Sequence, residues 1–337
     1  MPNDPNKPKP VDQATQEAPF VTEGTRNGTT VPLQGLDRGP TEPGGDLIYV
    51  AGRTQWEMFA RRFSRHRLAL ASACVLVLLF AIAIVGPTVS PYKYDQIEYT
   101  GAKPPSIQHL MGTDELGRDE LTRLMQGGRV SLMVGIVVAV LSAAIGTLVG
   151  MVAGYYGGRV DNVLMRFTDM VLALPLLPLL MVAGLVFSDL GWDSLYVIPL
   201  ILGLLEWMAV ARLVRGSFLA LREKEFVEAA HAMGASDWRI ITRHLLPNSI
   251  APIVVNTTLV VGAAIIVESV LSFLGFGIQP PTPSWGNMLS GARSTMVVSP
   301  WLMWAPGVAI VLTVLSVNFL GDGLRDALDP TQVRVRE

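Results

Sequence analysis

The sequence predicts an all-α integral membrane protein with about six transmembrane helices, and three observations support this prediction. Half of the 337 residues are hydrophobic, only 16% are charged, and the mean hydropathy is +0.41. Six apolar stretches approach the roughly 20 residues that a helix needs to cross the hydrocarbon core of a bilayer. Each stretch should be helical, because lipid offers no hydrogen-bond partner to an unpaired backbone group.

The six predicted spans differ in how clearly the sequence marks them. The fourth is the weakest, because it contains Pro199 and Glu206. Pro175 and Pro178 are expected to kink the third, since proline interrupts the helical hydrogen-bond ladder. The predicted spans are residues 68–89, 131–155, 163–187, 196–212, 250–274 and 301–320.

The regions around the spans have distinct compositions. Residues 1–52 are rich in Pro, Gly, Thr and Asn and are predicted to be a disordered cytoplasmic tail, because they hold too little apolar surface to offset the entropy of ordering. Residues 53–67 mix aromatic and basic side chains, which is typical of a juxtamembrane helix on anionic headgroups. Residues 90–130 are predicted to be extracytoplasmic, 131–320 to be the core transmembrane domain and 321–337 a cytoplasmic C-terminal tail.

Basic residues predict the orientation of the chain. Four arginines stand directly before the first span, whereas the next basic residue after that span is Lys93. Positive charge is enriched on the cytoplasmic side, so the N-terminus is predicted to be cytoplasmic, and six crossings return the C-terminus to that side. Three arginines of the 90–130 segment depart from this bias: Arg118, Arg123 and Arg129.

Several classes of partner and cofactor are not expected. A formal net charge of −2 gives no sign of a nucleic-acid partner, which would need clustered basic charge. Cys74 is the one cysteine, so neither an intrachain disulfide nor a cysteine metal site can form. The four histidines fall outside the predicted spans, which argues against a metal site in the membrane. No G-x-x-x-x-G-K-[ST] loop is present to cradle a nucleotide.

Small residues form two rows on the second predicted span. Such rows let helix backbones approach closely, so we expect this helix to be central in a packed bundle. The alternative is that small residues are simply common in membrane helices. One row is Ser142, Gly146, Gly150 and Gly154, and the other is Ser131, Gly135, Ala139 and Ala143.

The loop at residues 216–249, between spans four and five, has the pattern of two short helices. Gly234 is placed to close the first helix in a left-handed cap, and Ser236 to cap the second. Pro247 suits the first turn of span five. An interfacial loop that only shields the bundle is the alternative. Apolar residues recur at helical spacing in the first helix: Phe226, Ala229, Ala230 and Met233.

This loop resembles the EAA loop of ATP-binding-cassette importer permeases, in which it forms the coupling helix seated in the ATPase. His244 departs from the family pattern, which usually has an aliphatic residue there. Residues 268–277 and the predicted extracytoplasmic segment resemble the C-type permease of dipeptide, oligopeptide and nickel importers. The likeness to this family covers roughly residues 53–330. The matching residues are Glu228, Ala229, Ala230, Gly234, Leu246 and Pro247 in the loop, and Gly112, Thr113, Asp114, Gly117, Arg118 and Asp119 outside.

The resemblance implies a type I ABC importer permease fold in a prokaryotic cytoplasmic membrane. It implies a non-catalytic subunit that forms half of a path for peptides, with ATP and Mg bound by its partners. Those partners would be a second, B-type permease, two ABC ATPases and an extracytoplasmic substrate-binding protein. The same role for nickel or another small solute stays open. A secondary transporter, the alternative from another class, would be expected to show an internal repeat, and none is seen.

Ionisable residues inside the spans are candidates for path or gate positions, because a charge there is costly unless it is paired or hydrated. For Glu268, substrate contact and a structural hydrogen bond remain equal alternatives. Glu206 is expected to contact the partner permease or a water-filled cavity. Asp169 stands three residues after Arg166, which favours a local ion pair.

Overall fold

The structure is a computed structural model that describes residues 24–26, 29–31, 55–98 and 101–328. The chain divides into two units, residues 1–52 and 53–337. In the first, strands β1 (Gly24–Arg26) and β2 (Thr29–Val31) pair antiparallel, with Thr25 opposite Thr30. These strands lie within residues 1–52, the predicted disordered tail, and the sequence did not predict them. The rest of that tail, and the C-terminal tail beyond residue 328, lie outside the described residues.

The described part of the second unit is mainly helical. Its helices are α1 (Gln55–Phe63), α2 (Arg67–Val89), α3 (Glu120–Tyr156), α4 (Gly158–Leu172), α5 (Leu176–Asp189), α6 (Ser194–Leu205), α7 (Trp207–Arg222), α8 (Glu225–Ala232), α9 (Asp237–Ile240), α10 (Leu246–Phe273), α11 (Trp285–Gly291) and α12 (Trp301–Leu328). A π-helix (Ile241–Leu245) joins α9 to α10.

Five continuous or nearly continuous helices in the described residues are long and apolar enough to cross a membrane. They are α2, α3, α6 with α7, α9 through α10, and α12. Helices α4 and α5, bent by 77°, make a sixth if they act as one span. This agrees with the predicted number of about six. Because successive spans alternate, residues 90–119 lie at one end of the bundle, the segment end, and residues 223–245 at the other, the loop end.

Three helices extend well beyond the predicted spans: α3, α12 and α7, which ends at Arg222 instead of residue 212. Helix α3 begins at Glu120 instead of residue 131, because the Asp119 side chain accepts a hydrogen bond from the Thr122 backbone N–H at 2.8 Å and caps the helix there. The non-helical part of the segment end therefore stops at Asp119. Helix α12 continues to Leu328, so the predicted C-terminal tail begins inside a helix.

Two spans are broken, and only one of the breaks lies at a predicted proline. The bend between α4 and α5 falls at residues 173–175, and Pro175 precedes α5, as proline's missing N–H requires. Pro178 lies in the first turn of α5, where no helical hydrogen bond is lost. In the fourth span the helix passes through Pro199 and breaks at Glu206, whose φ of −101° and ψ of 0° are not helical.

Helix α3 packs between α7 and α10 through its small residues. A Cβ atom added to Gly146 would lie 2.6 Å from the carbonyl oxygen of Trp207, and one added to Gly150 would lie 2.5 Å from that of Ala211. The same atom on Gly154 would lie 2.6 Å from the Cβ of Phe218. The glycine row therefore brings α3 into backbone contact with α7.

The second small-residue row faces α10. A Cβ atom on Gly135 would lie 3.0 Å from Cγ1 of Ile265, and Ser131 hydrogen-bonds to Glu268 of the same helix. Across the bundle, α12 packs on α2 just as closely, since a Cβ on Gly323 would lie 2.2 Å from that of Ala69. Small residues thus set the spacing at three helix contacts.

Replacement of Gly150 by leucine should reduce the amount of folded protein in the membrane, because the new side chain meets the α7 backbone, which cannot move aside as a side chain would. Overpacking of this kind costs about 1–3 kcal/mol or more. Ala144 on the same helix is exposed, so Ala144→Leu is the matched control. Fluorescence-detected size-exclusion chromatography of the two variants measures the effect. Equal yields would show that the α3–α7 contact tolerates separation.

Candidate functional site

The turn after α8 at the loop end is a Schellman motif centred on Gly234. Gly234 has a φ of +78° and its N–H donates to the carbonyl of His231 at 2.9 Å. The N–H of Ala235 donates to the carbonyl of Ala230 at 3.0 Å. These two bonds satisfy carbonyls at the end of α8, and the positive φ is readily adopted only by glycine.

Contacts with the end of α3 hold the loop in place. The Tyr155 hydroxyl donates to Oδ1 of Asp237 at 2.8 Å, and Nη1 of Arg222 donates to the carbonyl of Tyr155 at 2.8 Å. On α8, Val227 and Ala230 are buried in the core. The loop is therefore anchored to α3 as well as to its own two flanking helices.

Pro247 lies in the first turn of α10, directly after the π-helix. In that π-helix the N–H of Leu246 donates to the carbonyl of Ile241, five residues earlier. A proline ring clashes with the carbonyl four residues before it, and the wider π turn relieves that clash. His244, the departure from the family pattern, lies in the π turn with its ring centroid 6.5 Å from that of Phe226, so it packs the turn against α8.

The loop exposes three large apolar side chains among its charged residues. Phe226, Met233 and Trp238 are 42%, 81% and 68% exposed, and Glu228 and Ala229 are exposed beside them. Large apolar side chains that cluster at a surface mark an interaction site more often than a solvated loop. Ser236 precedes α9 as predicted, but its side chain makes no capping hydrogen bond.

The 112–119 motif at the segment end folds around Asp114. Its Oδ1 accepts the backbone N–H groups of Leu116 at 3.0 Å and Arg118 at 2.9 Å, and its Oδ2 accepts the Arg118 Nε at 2.7 Å. Gly112 and Gly117 supply φ values of +76° and +79°. The motif is a compact turn that leads into α3.

Thr113 and Gly112 tie this turn to the rest of the segment end. The buried Thr113 hydroxyl accepts the backbone N–H of Lys103 at 2.9 Å. A Cβ on Gly112 would lie 2.3 Å from the Lys103 carbonyl oxygen and 3.0 Å from Nε1 of Trp301, at the start of α12. Close backbone approach explains the glycine at position 112.

His109 is a buried residue that the sequence did not single out. Its Nδ1 lies 2.9 Å from Oδ1 of Asp119, and its Nε2 lies 3.4 Å from a carboxylate oxygen of Glu98. The Tyr92 ring packs on it with centroids 4.7 Å apart. Because Asp119 also caps α3, His109 links the segment to the first turn of that helix. Its position outside the spans gave no signal in the sequence.

Glu268 is fully buried, and its hydrogen bonds link α3, α10 and the chain that follows α10. Its carboxylate accepts the Ser131 hydroxyl of α3 at 3.2 Å and the Ser272 hydroxyl of α10 at 2.6 Å. Those serine oxygens accept the backbone N–H groups of Trp285 at 3.2 Å and Ile278 at 3.0 Å. Of the two alternatives, this geometry is that of a structural hydrogen-bond centre, because no surface of Glu268 is exposed.

Asp169 pairs with Arg212 of α7, at 2.5 Å between carboxylate and guanidinium. The predicted local pair with Arg166 is wrong, because the bend after α4 brings this helix alongside α7 and a partner there is within reach. Asp161 of α4 likewise binds Arg215, with Nη2 at 2.6 Å from Oδ2. Neither arginine was singled out from the sequence: Arg212 is the last residue of the predicted fourth span, and Arg215 lies beyond its end. Charge at the end of an apolar run was the available signal.

Glu206 lines a cleft of about 110 Å³ where the α4–α5 bend meets the break between α6 and α7. Leucine side chains from both breaks form most of its wall. The predicted path candidates are therefore separated: Glu206 lines a cleft, Asp169 is in an exposed ion pair and Glu268 is buried. Within the residues that the structure describes, no cluster of three or more His, Cys, Asp or Glu side chains is arranged to hold a metal.

Comparison with known proteins decides the family. Residues 146–334, more than half of the chain, match the family described as "Binding-protein-dependent transport system inner membrane component". The chain belongs to this family. Residues 54–105 of the permease match "N-terminal TM domain of oligopeptide transport permease C".

Individual relatives of the permease cover nearly its whole helical unit. It is 43% identical over 284 residues to the glutathione transport system permease protein GsiD of Pectobacterium atrosepticum, across 82% of this chain and 92% of the relative. It is 42% identical over 288 residues to the oligopeptide transport system permease protein OppC of Escherichia coli K12, across 85% and 94%. The MetNI methionine ABC transporter aligns with a TM-score of 0.49 at 20% identity, over 61% of this chain and 96% of that one.

The chain is thus a multi-pass inner-membrane permease subunit of an ABC importer, with the all-α fold that its resemblance implied. This membership rules out the secondary transporter considered from the sequence. The glutathione and oligopeptide relatives match the permease on both sides of the 216–249 loop, since their alignments extend over more than four fifths of the chain.

Replacement of one Glu268 carboxyl oxygen by an amide nitrogen should destabilise the permease. A glutamine cannot accept from both serines, so Glu268→Gln leaves one hydrogen bond unmade in a buried site, at about 1–3 kcal/mol. The apparent melting temperature in detergent should fall by roughly 2–10 °C. Glu223→Gln, at an exposed position, is the control. An unchanged melting temperature in Glu268→Gln would contradict the hydrogen-bond centre.

Loss of the Asp119 cap should loosen the segment end. Asp119→Ala removes the acceptor for Thr122 and for His109 and should cost about 1–2 kcal/mol, exposing residues 101–119 to protease. Asp119→Asn keeps a capping oxygen and should protect more of the segment. Limited proteolysis of the purified permease compares the two, and identical cleavage rates would argue against the cap.

Proposed function

We propose that this chain is the C-type permease of an ATP-driven peptide importer and that its 216–249 loop couples ATPase closure to alternating access. The observation that carries the proposal is the loop itself. It combines a rigid Schellman turn, three exposed large apolar side chains and anchors to three helices that run into the membrane. A loop that only shielded the bundle would need none of these anchors.

Coupling follows from the stiffness of the attachment. A force on α8 is carried to α7 through residues 223–224, to α10 through the π-helix, and to α3 through the Tyr155 bonds. Because the glycine row holds α3 against the α7 backbone, the three helices move as one body. Two ATPases that close on ATP would pull the loops of two permeases together and rotate these bodies, which is the rigid-body form of switching.

The outward face supplies a surface for the ATPase. Phe226, Met233 and Trp238 present apolar groups of the kind that fill pockets at protein interfaces, and Glu228 sits among them on the exposed side of α8. ATP and Mg belong to the two ATPase subunits in this proposal, and this chain carries out no catalysis. A second, B-type permease completes the path, and an extracytoplasmic substrate-binding protein delivers the cargo.

Peptides are the proposed substrate class. The oligopeptide and glutathione permeases that this chain resembles support a peptide over nickel. The proposed orientation places the loop end, and with it both termini, in the cytoplasm of a prokaryote. That orientation brings the ATPases to the 216–249 loop and the binding protein to the 90–119 segment.

Gly234→Val should uncouple ATP hydrolysis from peptide uptake while the permease still inserts. Valine is strained at a φ of +78° by about 1–2 kcal/mol, and no atom lies within 4 Å of the added Cβ, so the effect comes from the backbone. ATP-driven uptake by the assembled complex in proteoliposomes should fall at least tenfold.

Two controls separate coupling from general strain. Gly234→Asn should keep most of the uptake, because asparagine tolerates the left-handed region. Gly191 closes α5 at the segment end in the same Schellman geometry, with a φ of +75° and no neighbour within 4 Å of an added Cβ. Gly191→Val therefore carries the same strain outside the loop. If it abolished uptake as Gly234→Val does, or if Gly234→Val transported normally, the coupling role would be refuted.

A further inference from the structure

The cleft at Glu206 lies near the middle of the bundle along its long axis, and the exposed Leu172 and Leu174 border it. Helix α6, of 12 residues, places Glu206 about 18 Å from the segment end, and the 16 residues of α7 place it about 24 Å from the loop end. Two breaks meet here, the bend at residues 173–175 and the interruption at Glu206. Non-helical backbone at mid-membrane depth is tolerated where it is buried in protein or lines a cavity, and here it borders the cleft.

Glu206 is the ionisable group among the residues that line this cleft, and its surroundings are otherwise leucine, valine, methionine and alanine. A carboxylate in apolar surroundings is costly unless a cation meets it. Within residues 59–98 and 101–328 no basic side chain lies within ion-pair distance of it. The two nearest arginines along α7 are engaged elsewhere, Arg212 with Asp169 and Arg215 with Asp161. The carboxylate is thus available to a cation from outside the chain.

We propose that Glu206 binds the free ammonium group of the peptide as it passes through the permease. This inference rests on the proposed function. Oligopeptides and glutathione, the cargoes named for the relatives, differ in side chains and share one primary ammonium group. A charge-assisted hydrogen bond to that group is specific for it. The leucine walls would meet side chains of any kind without selecting among them.

The volume of the cleft and its single charged group both suit brief binding of an ammonium group. The cleft holds about 110 Å³, which accommodates an ammonium group and its first carbon atoms, while the remainder of the peptide lies in the part of the path that the second permease encloses. A single partner keeps the contact weak enough for release, as conduction through a path requires. A basic residue of the second permease is the rival occupant.

The test uses the assembled transporter in proteoliposomes with saturating alanyl-leucine or N-acetyl-alanyl-leucine, each at a concentration that fills the binding protein. Glu206→Gln keeps the size of the side chain and removes its charge. Uptake of the free-amine peptide should fall about tenfold, and uptake of the acetylated peptide should stay within twofold of the unmodified transporter. Glu206→Asp should recover part of the free-amine rate.

A membrane-permeant carbodiimide gives a direct readout, since it joins a carboxylate to an amine as an amide and leaves as a urea. Alanyl-leucine should be recovered on Glu206 by mass spectrometry, and the acetylated peptide should not. Equal losses for both peptides, loss of the assembled complex in Glu206→Gln, or unchanged rates would each overturn the Glu206 assignment alone. Failure of the unmodified transporter to take up either peptide would overturn the peptide function and this inference together.

Discussion

The backbone contact between α3 and α7 is the constraint on which the rest of the bundle depends. At Gly146, Gly150 and Gly154 the two helices approach so closely that an added Cβ would lie 2.5–2.6 Å from an atom of α7. Dispersion contacts and small residues are what drive helix association in lipid, where no hydrophobic effect acts between helices. A contact of this kind admits little sliding, so α3 and α7 form one stiff element.

That element is extended at both of its ends by polar contacts. At the loop end, Tyr155 receives the Arg222 guanidinium and donates to Asp237, which attaches the α8–α9 turn to α3. Toward the segment end, Ser131 of α3 reaches Glu268 of α10, and Glu268 is held again by Ser272. Apolar packing sets the distance between the helices, and the hydrogen bonds set their relative orientation. Together they make the loop a part of the α3–α7–α10 body.

Sequence patterns predicted those parts that depend on local chemistry. The number of spans, the Gly234 turn and the glycine row follow from hydropathy, from the conformational freedom of glycine and from spacing by four, all of which are visible along the chain. Contacts between distant segments were not visible. The partner of Asp169 is Arg212, 43 residues away, and no sequence pattern near Asp169 predicts this pair. The break at Glu206 was also missed, because Pro199 in the same helix was the stronger local signal.

The π-helix at residues 241–245 affects the direction in which the loop faces relative to α10. Each residue of an α-helix turns the chain by 100°, and a π turn accommodates one residue more than an α turn does. The exposed Trp238 and the rest of the loop are therefore rotated by about 100° from where the same residues would lie if residues 241–245 were α-helical. A relative that lacked the extra residue would close the same turn as an α turn and present the same side of the loop to its partner. A relative that kept all the residues but wound them entirely as an α-helix would present a different side.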